Sequence, residues 1–211
     1  MLIAEAFVLL ALAPNGAPAR GAANQPAAEV GVTGALIAEL VLDGHVTLEG
    51  GRIGLTGTAP DHPLLRQALQ NVGLRKGRKL KSQLASIRHS GWSEVVDGMV
   101  AAGVVGRQRP GRLGPTRHPV LDLAAQDAVL GAVRAAAASD GPIEPRTATL
   151  LALSGPCQLL EVVAPDRSAR KHAKQRIDHA TDQIPTARAV QSVVDAARST
   201  IEAAASVAVI A

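Results

Sequence analysis

Two separate stretches of this 211-residue chain run an apolar, helix-spaced segment into a glycine and then into a short hairpin-like return. The first is GALIAELVLDGHVTLEGGRIGL, from Gly34 to Leu55, with its breaker at Gly44. The second is VVDGMVAAGVVGRQRPGRLGP, from Val95 to Pro115, breaking at Gly103. In both, apolar residues three and four apart give way to a β-type segment, a glycine-containing turn and a return segment. The chain is thereby expected to be mainly α: a single compact helical domain over residues 1–211 with two short β-hairpins, one of them basic and projecting.

Aromatic residues make up only 1% of the chain, Phe7 and Trp92 with no tyrosine, while 47% of residues are hydrophobic. The core must therefore be built from Leu, Val, Ile and Ala, and wholesale disorder is excluded. The same scarcity leaves no stacking platform for unpaired bases. The single cysteine, Cys157, rules out an intrachain disulfide and fits a reducing compartment. The apolar stretch Met1 to Ala13 has no positive charge before it and is interrupted by Glu5, so it reads as a first core helix rather than a secretory signal. Thirteen residues are also too few to span a bilayer.

Periodicity and punctuation predict a helix over Leu2–Leu12 and a polar, Ala-rich loop, then a helix over Gly34–Leu42 capped by Thr33. A hairpin over His45–Glu49 and Arg52–Thr56 turns at Gly50-Gly51. Pro63 leads a helix from Leu64 to Val72, and the basic linker GLRKGRKLK enters another that His89-Ser90-Gly91 breaks. Ser93 is expected to cap a separate helix ending near Ala102. Further helices are expected at Asp122–Ala138, from Arg146 or Thr147 through Leu153, briefly to Val163, at Arg167–Ala180 and at Thr186–Ala208.

Charge is where the sequence is most uneven. Net charge is +4, yet residues 61–121 carry 11 basic and 3 acidic side chains, against 2 and 5 in residues 1–60 and 9 and 10 in residues 122–211. The second hairpin holds Arg107, Arg109 and Arg112, with Arg117 just beyond, and no acid occurs between Asp97 and Asp122. A projecting basic hairpin suits an anionic partner, nucleic-acid phosphate or lipid headgroup. The candidate anion-binding set is Lys79, Lys81, Arg88, Trp92, Arg107, Arg109, Arg112 and Arg117.

Catalytic signals are weak. The six histidines show no ligand pairing, and neither HExxH nor CxxC occurs. Cys157, in SGPCQLL, reads as a small buried hydrophobe. Ser154 lacks a GxSxG setting, and no glycine-rich stretch sits between a strand and a helix as phosphate-cradling loops do. The expectation is a protein that is not an enzyme and takes no cofactor and no metal.

The order of LIAEAFVLLAL, GALIAELVLDGHVTLEGGRI, DHPLLRQAL, GRKLKSQLASI, MVAAGVVGRQ, TRHPV and PRTATLLAL resembles the Golgi phosphoprotein 3-like proteins along nearly the whole chain. Its Ala-, Gly- and Arg-rich wording resembles their high-GC bacterial members. The resemblance implies a helical fold with a projecting hairpin, on a cytoplasmic protein peripherally associated with membrane. By the same resemblance the ligand is phosphatidylinositol 4-phosphate, and protein cargo is a further partner. The family's lipid site uses a tryptophan and three arginines; aligned on this chain, their places fall at Asn24, Thr33, His89 and Trp92. The basic pair that flanks the glycine after the first hairpin-bearing helix is replaced by Asp43 and His45.

The leading reading is therefore a non-enzymatic peripheral membrane protein or adaptor that binds anionic lipid headgroups. The alternative is a winged-helix-like nucleic-acid-binding protein, since a helix followed by an arginine-bearing hairpin suits phosphate contact. Against it, Gly34–Leu42 and Val95–Ala102 lack Arg, Lys, Asn and Gln to read base edges.

Overall fold

The computed structural model describes residues 1–19, 25–74, 79–109, 116–189 and 191; the side chains of residues 25, 26, 81, 83 and 85–90 lie outside that description. Helices dominate it, in the order α1 (Ile3–Ala11), α2 (Gln25–Leu42), α3 (Pro63–Gly73), α4 (Leu80–Ala101), α5 (Leu123–Ala138), α6 (Pro145–Ser154), α7 (Leu160–Val163) and α8 (Arg170–Gln183). One antiparallel pair, β1 (Val46–Glu49) and β2 (Arg52–Leu55), separates α2 from α3.

Apart from Glu5, helix α1 is apolar and accordingly buried, with Phe7, Val8 and Leu9 fully enclosed. It packs on α2, α4, α5 and α6, and α2 in turn carries α3 and α4. Leucine, valine, isoleucine and alanine supply nearly all of one continuous core, as the scarcity of aromatics requires. The α1 N-terminus is satisfied by carboxylates: the Leu2 N–H donates to Glu5 at 2.8 Å, and the Ile3 N–H donates to Glu39 of α2. Both charges also oppose the positive end of the helix dipole.

Helix α2 begins nine residues before the expected start at Gly34, and Thr33 is not its cap. Its hydroxyl donates to the Glu29 carbonyl one turn back, as mid-helix threonines do. Similarly, α4 runs unbroken through His89-Ser90-Gly91, so Ser93 caps nothing. A Cβ on Gly31 would collide with the Phe7 ring, and one on Gly91 would sit 3.0 Å from Thr33 Oγ1. These glycines mark close helix approach, whereas the sequence reading treated Gly91 as a break.

The β1–β2 register pairs Val46 with Leu55 and Glu49 with Arg52 across Gly50 and Gly51, whose φ values of 55° and 73° are those of a type I′ turn. The turn is held from outside, because the Leu80 N–H donates to the Gly51 carbonyl at 2.8 Å and Lys79 bridges Arg52. The start of α4 is thus clipped to the first hairpin. Helix α5 begins at its expected cap, with Asp122 accepting from the Ala125 N–H at 2.9 Å. Glu144 caps α6, which opens at Pro145, one to two residues before the expected opening. A short helical stretch covers residues 185–189; the rest of the expected Thr186–Ala208 helix lies outside the described residues apart from 191.

Candidate functional site

The second hairpin forms at the C-terminal end of α4. Gly103, at φ 73°, lets the chain leave the helix. Gln108 and Arg117 then exchange both backbone hydrogen bonds, at 2.9 and 2.7 Å, and the Gly106 N–H donates to Pro119 at 2.7 Å. Val105 faces Val120, and both are buried. Pro119 has no N–H to return, so the pairing consists of separate bridges and not a continuous strand ladder. Its base sits on the loop after α1: the Val120 N–H donates to Pro14 at 3.0 Å, and Gly16 lies directly against the His118 backbone.

This support determines what the arginines do. Arg107 pairs with Asp97 of α4, and both side chains are more than half exposed, 52% and 63%. Such a pair contributes about 0–1 kcal/mol to stability and leaves Arg107 partly neutralised. Arg117 lies in the bridge and Arg109 just beyond it, both exposed and without a side-chain partner among the described residues. Arg112 lies outside the described residues, as do the side chains of Lys81 and Arg88. Lys79 is exposed at the opposite end of α4. Trp92 is half-buried and packs against the core. The sequence-derived set is therefore not one patch. Twenty-two residues of helix separate Lys79 from the arginine hairpin, a span of about 33 Å.

The places assigned to a family-type lipid site partly converge, for Thr33 meets Gly91, the neighbour of Trp92. The described side chains of the seam offer phosphate little. The pocket there measures about 10 Å³, room for roughly one water. Glu94 lines it, with its carboxyl held above the usual range by burial. Among the described side chains of α2 and α4, none is basic.

Sequence reasoning missed the polar cluster around Glu39. Glu39 is buried and accepts from Arg146 as well as from Ile3, while Arg146 also reaches Asp43 at 3.2 Å. Desolvation raises the Glu39 carboxyl above its usual range, against the lowering effect of the Ile3 N–H and the Arg146 guanidinium. The charged and imidazole groups lining the neighbouring hollow, about 550 Å³, are Glu5, Glu39, Asp43 and Asp61, against the single guanidinium of Arg146, with His45 and His62. An acidic lining repels phosphate, and no metal-ligand group of three forms among the described residues. The signal available in the sequence was Glu39 itself, an acid on the apolar face of GALIAELVL. Cys157 is buried, its thiol donating to the Ala27 carbonyl at 3.4 Å and its pKa pushed far up by burial.

A helical core bearing a braced basic hairpin, with no helix among the described residues long and apolar enough to cross a membrane, defines the class of molecule. The family model for Golgi phosphoprotein 3 (GPP34) matches residues 3–197. The chain belongs to the Golgi phosphoprotein 3 family, a Golgi-associated family of lipid-binding and adaptor type. No curated protein matches it.

Proposed function

We propose that this protein attaches peripherally to anionic membrane surfaces through the hairpin after α4, as a non-enzymatic lipid-binding or adaptor protein. The observation that carries the reading is the exposure of Arg109 and Arg117, without a side-chain partner among the described residues, on a hairpin braced by Gly16, Pro14 and Asp97. Each cation near an anionic bilayer contributes about 1 kcal/mol, so a few arginines suffice for reversible attachment. Attachment is by charge rather than by fit to one headgroup, because the Thr33–Gly91 seam is closed and carries Glu94. Phosphatidylinositol 4-phosphate is bound as one anionic lipid among others, with protein cargo as a further partner. Helix α4 packs along α2 and turns Asp97 toward the hairpin, which does not suit a base-reading helix.

Co-flotation with neutral, phosphatidylserine-containing and phosphatidylinositol 4-phosphate-doped vesicles, from low to high salt, tests this. Binding to both anionic vesicles that fades with salt is expected, and Arg109→Glu with Arg117→Glu abolishes it. Failure to bind any anionic vesicle at low salt overturns the reading.

A further inference from the structure

We infer that His118 both closes the arginine hairpin and makes its charge respond to pH, so that attachment strengthens in mild acid. The inference rests on the attachment proposed above and adds its regulation. The hairpin lacks one backbone donor. Its two bridges, Val105 with Val120 and Gln108 with Arg117, share one register, which sets Gly106 opposite Pro119 and Arg107 opposite His118. The Gly106 N–H donates to Pro119, but Pro119 has no N–H to give back, so the Gly106 carbonyl is left without its ladder bond. The His118 ring supplies a replacement, with Nδ1 3.2 Å from that carbonyl oxygen. Gly16, packed against the His118 backbone, fixes the point from which the ring projects.

The chemistry of this bond decides where the ring can take a proton. A carbonyl oxygen only accepts, so Nδ1 carries the hydrogen and the neutral ring keeps its lone pair on Nε2. Nε2 has no partner among the described residues, and the buried nitrogens without a partner among them belong to His172 and Arg176 instead. A proton taken up at Nε2 therefore leaves the bond to Gly106 in place, and the hairpin gains a charge without opening. Imidazole is the side chain suited to such a change between about pH 5 and 8. The charged groups around it are few. Arg107 stands opposite, its guanidinium held by Asp97 of α4; Arg117 precedes His118 on its own strand, and Arg109 lies two residues beyond Arg107. The loop after α1, Ala13 to Ala17, presents no titratable side chain, and Asp122 is turned to the Ala125 N–H. The added cation lies inside a Debye length, about 10 Å, of Arg117 and so acts on the same anionic surface.

The test uses the whole chain at low salt with phosphatidylglycerol vesicles, whose charge is constant over the range. Partition is expected to rise about fivefold from about pH 7.5 to about pH 5.5, the effect of one added cation. His118→Asn, whose carboxamide N–H reaches the place of Nδ1 but takes up no proton, is expected to lose the rise. Binding that does not strengthen in acid, or that strengthens equally in His118→Asn, overturns the pH response while the hairpin attachment stands. The bond itself is read without lipid, by amide hydrogen exchange at Gln108 and Arg117. His118→Ala should speed both by about tenfold. Adding Pro119→Ala, which restores an N–H opposite Gly106, should slow them again. Unchanged exchange in His118→Ala overturns the bond. Absence of vesicle binding at either pH overturns the attachment and its regulation together, and the exchange result then judges the bond alone.

Discussion

Gly16 faces the backbone of His118 with no room for a side chain between them, at a φ of 74°. One glycine after α1 thus seats the base of a hairpin more than a hundred residues later. Gly16→Ala is expected to destabilise by about 2 kcal/mol or more, combining left-handed strain with a backbone collision. Thermal unfolding followed by far-ultraviolet circular dichroism checks it; an unchanged midpoint would show that the loop relaxes freely.

Asp97 shares its charge with Arg107 and so withholds it from an external anion. Asp97→Asn should strengthen binding to anionic vesicles by roughly fivefold per cation released, with little effect on stability because the pair is exposed. Partition at low salt measures the change; weaker binding would mean that the pair orients the hairpin.

Glu39 holds Arg146 and the Ile3 N–H from a buried position. Glu39→Ala leaves both without that partner and should cost about 3 kcal/mol, the lower end for a broken buried pair because Arg146 is 42% exposed. Urea unfolding is the measurement. Glu39→Gln keeps an acceptor for Ile3 and should lose less.

Acid affects two carboxyls in opposite directions. The native fold lowers the Glu144 pKa, chiefly through the Arg146 N–H, so its contribution is present above about pH 4.5 and is lost as pH falls through the lowered value. Glu39 is raised, so its ionisation weakens the fold as pH rises from about 4.5 through the raised value. Glu144→Gln should therefore flatten the acid limb of a stability profile, while Glu39→Gln should flatten its rise toward mild acid. Urea midpoints between pH 3 and 7 read both, and unchanged slopes would contradict the assignments.

Much of the architecture was legible in the residues. Alternation around Gly50-Gly51 places β1–β2, Asp122 places the start of α5, and the apolar run from Leu2 places α1. Helix α4 was misjudged because a glycine tolerated for packing and a glycine needed for a turn look alike in one dimension, and the start of α2 because its Ala-rich first turns read as a loop capped by Thr33. Only the facing atoms, the Phe7 ring for Gly31 and the Thr33 hydroxyl for Gly91, distinguish them. The hairpin arginines were legible as charges. The helix length that parts Lys79 from Arg109 was not, because it depends on α4 running unbroken through Gly91, and the pairing of Asp97 with Arg107 depends on how the chain turns back after Gly103.

The near absence of aromatic residues has a spectroscopic consequence. With one tryptophan and no tyrosine, all indole emission originates at Trp92, a half-buried position on α4 one residue from the Thr33–Gly91 contact. Native fluorescence is therefore a single-site gauge of the α2–α4 seam, present in the natural chain without any labelling.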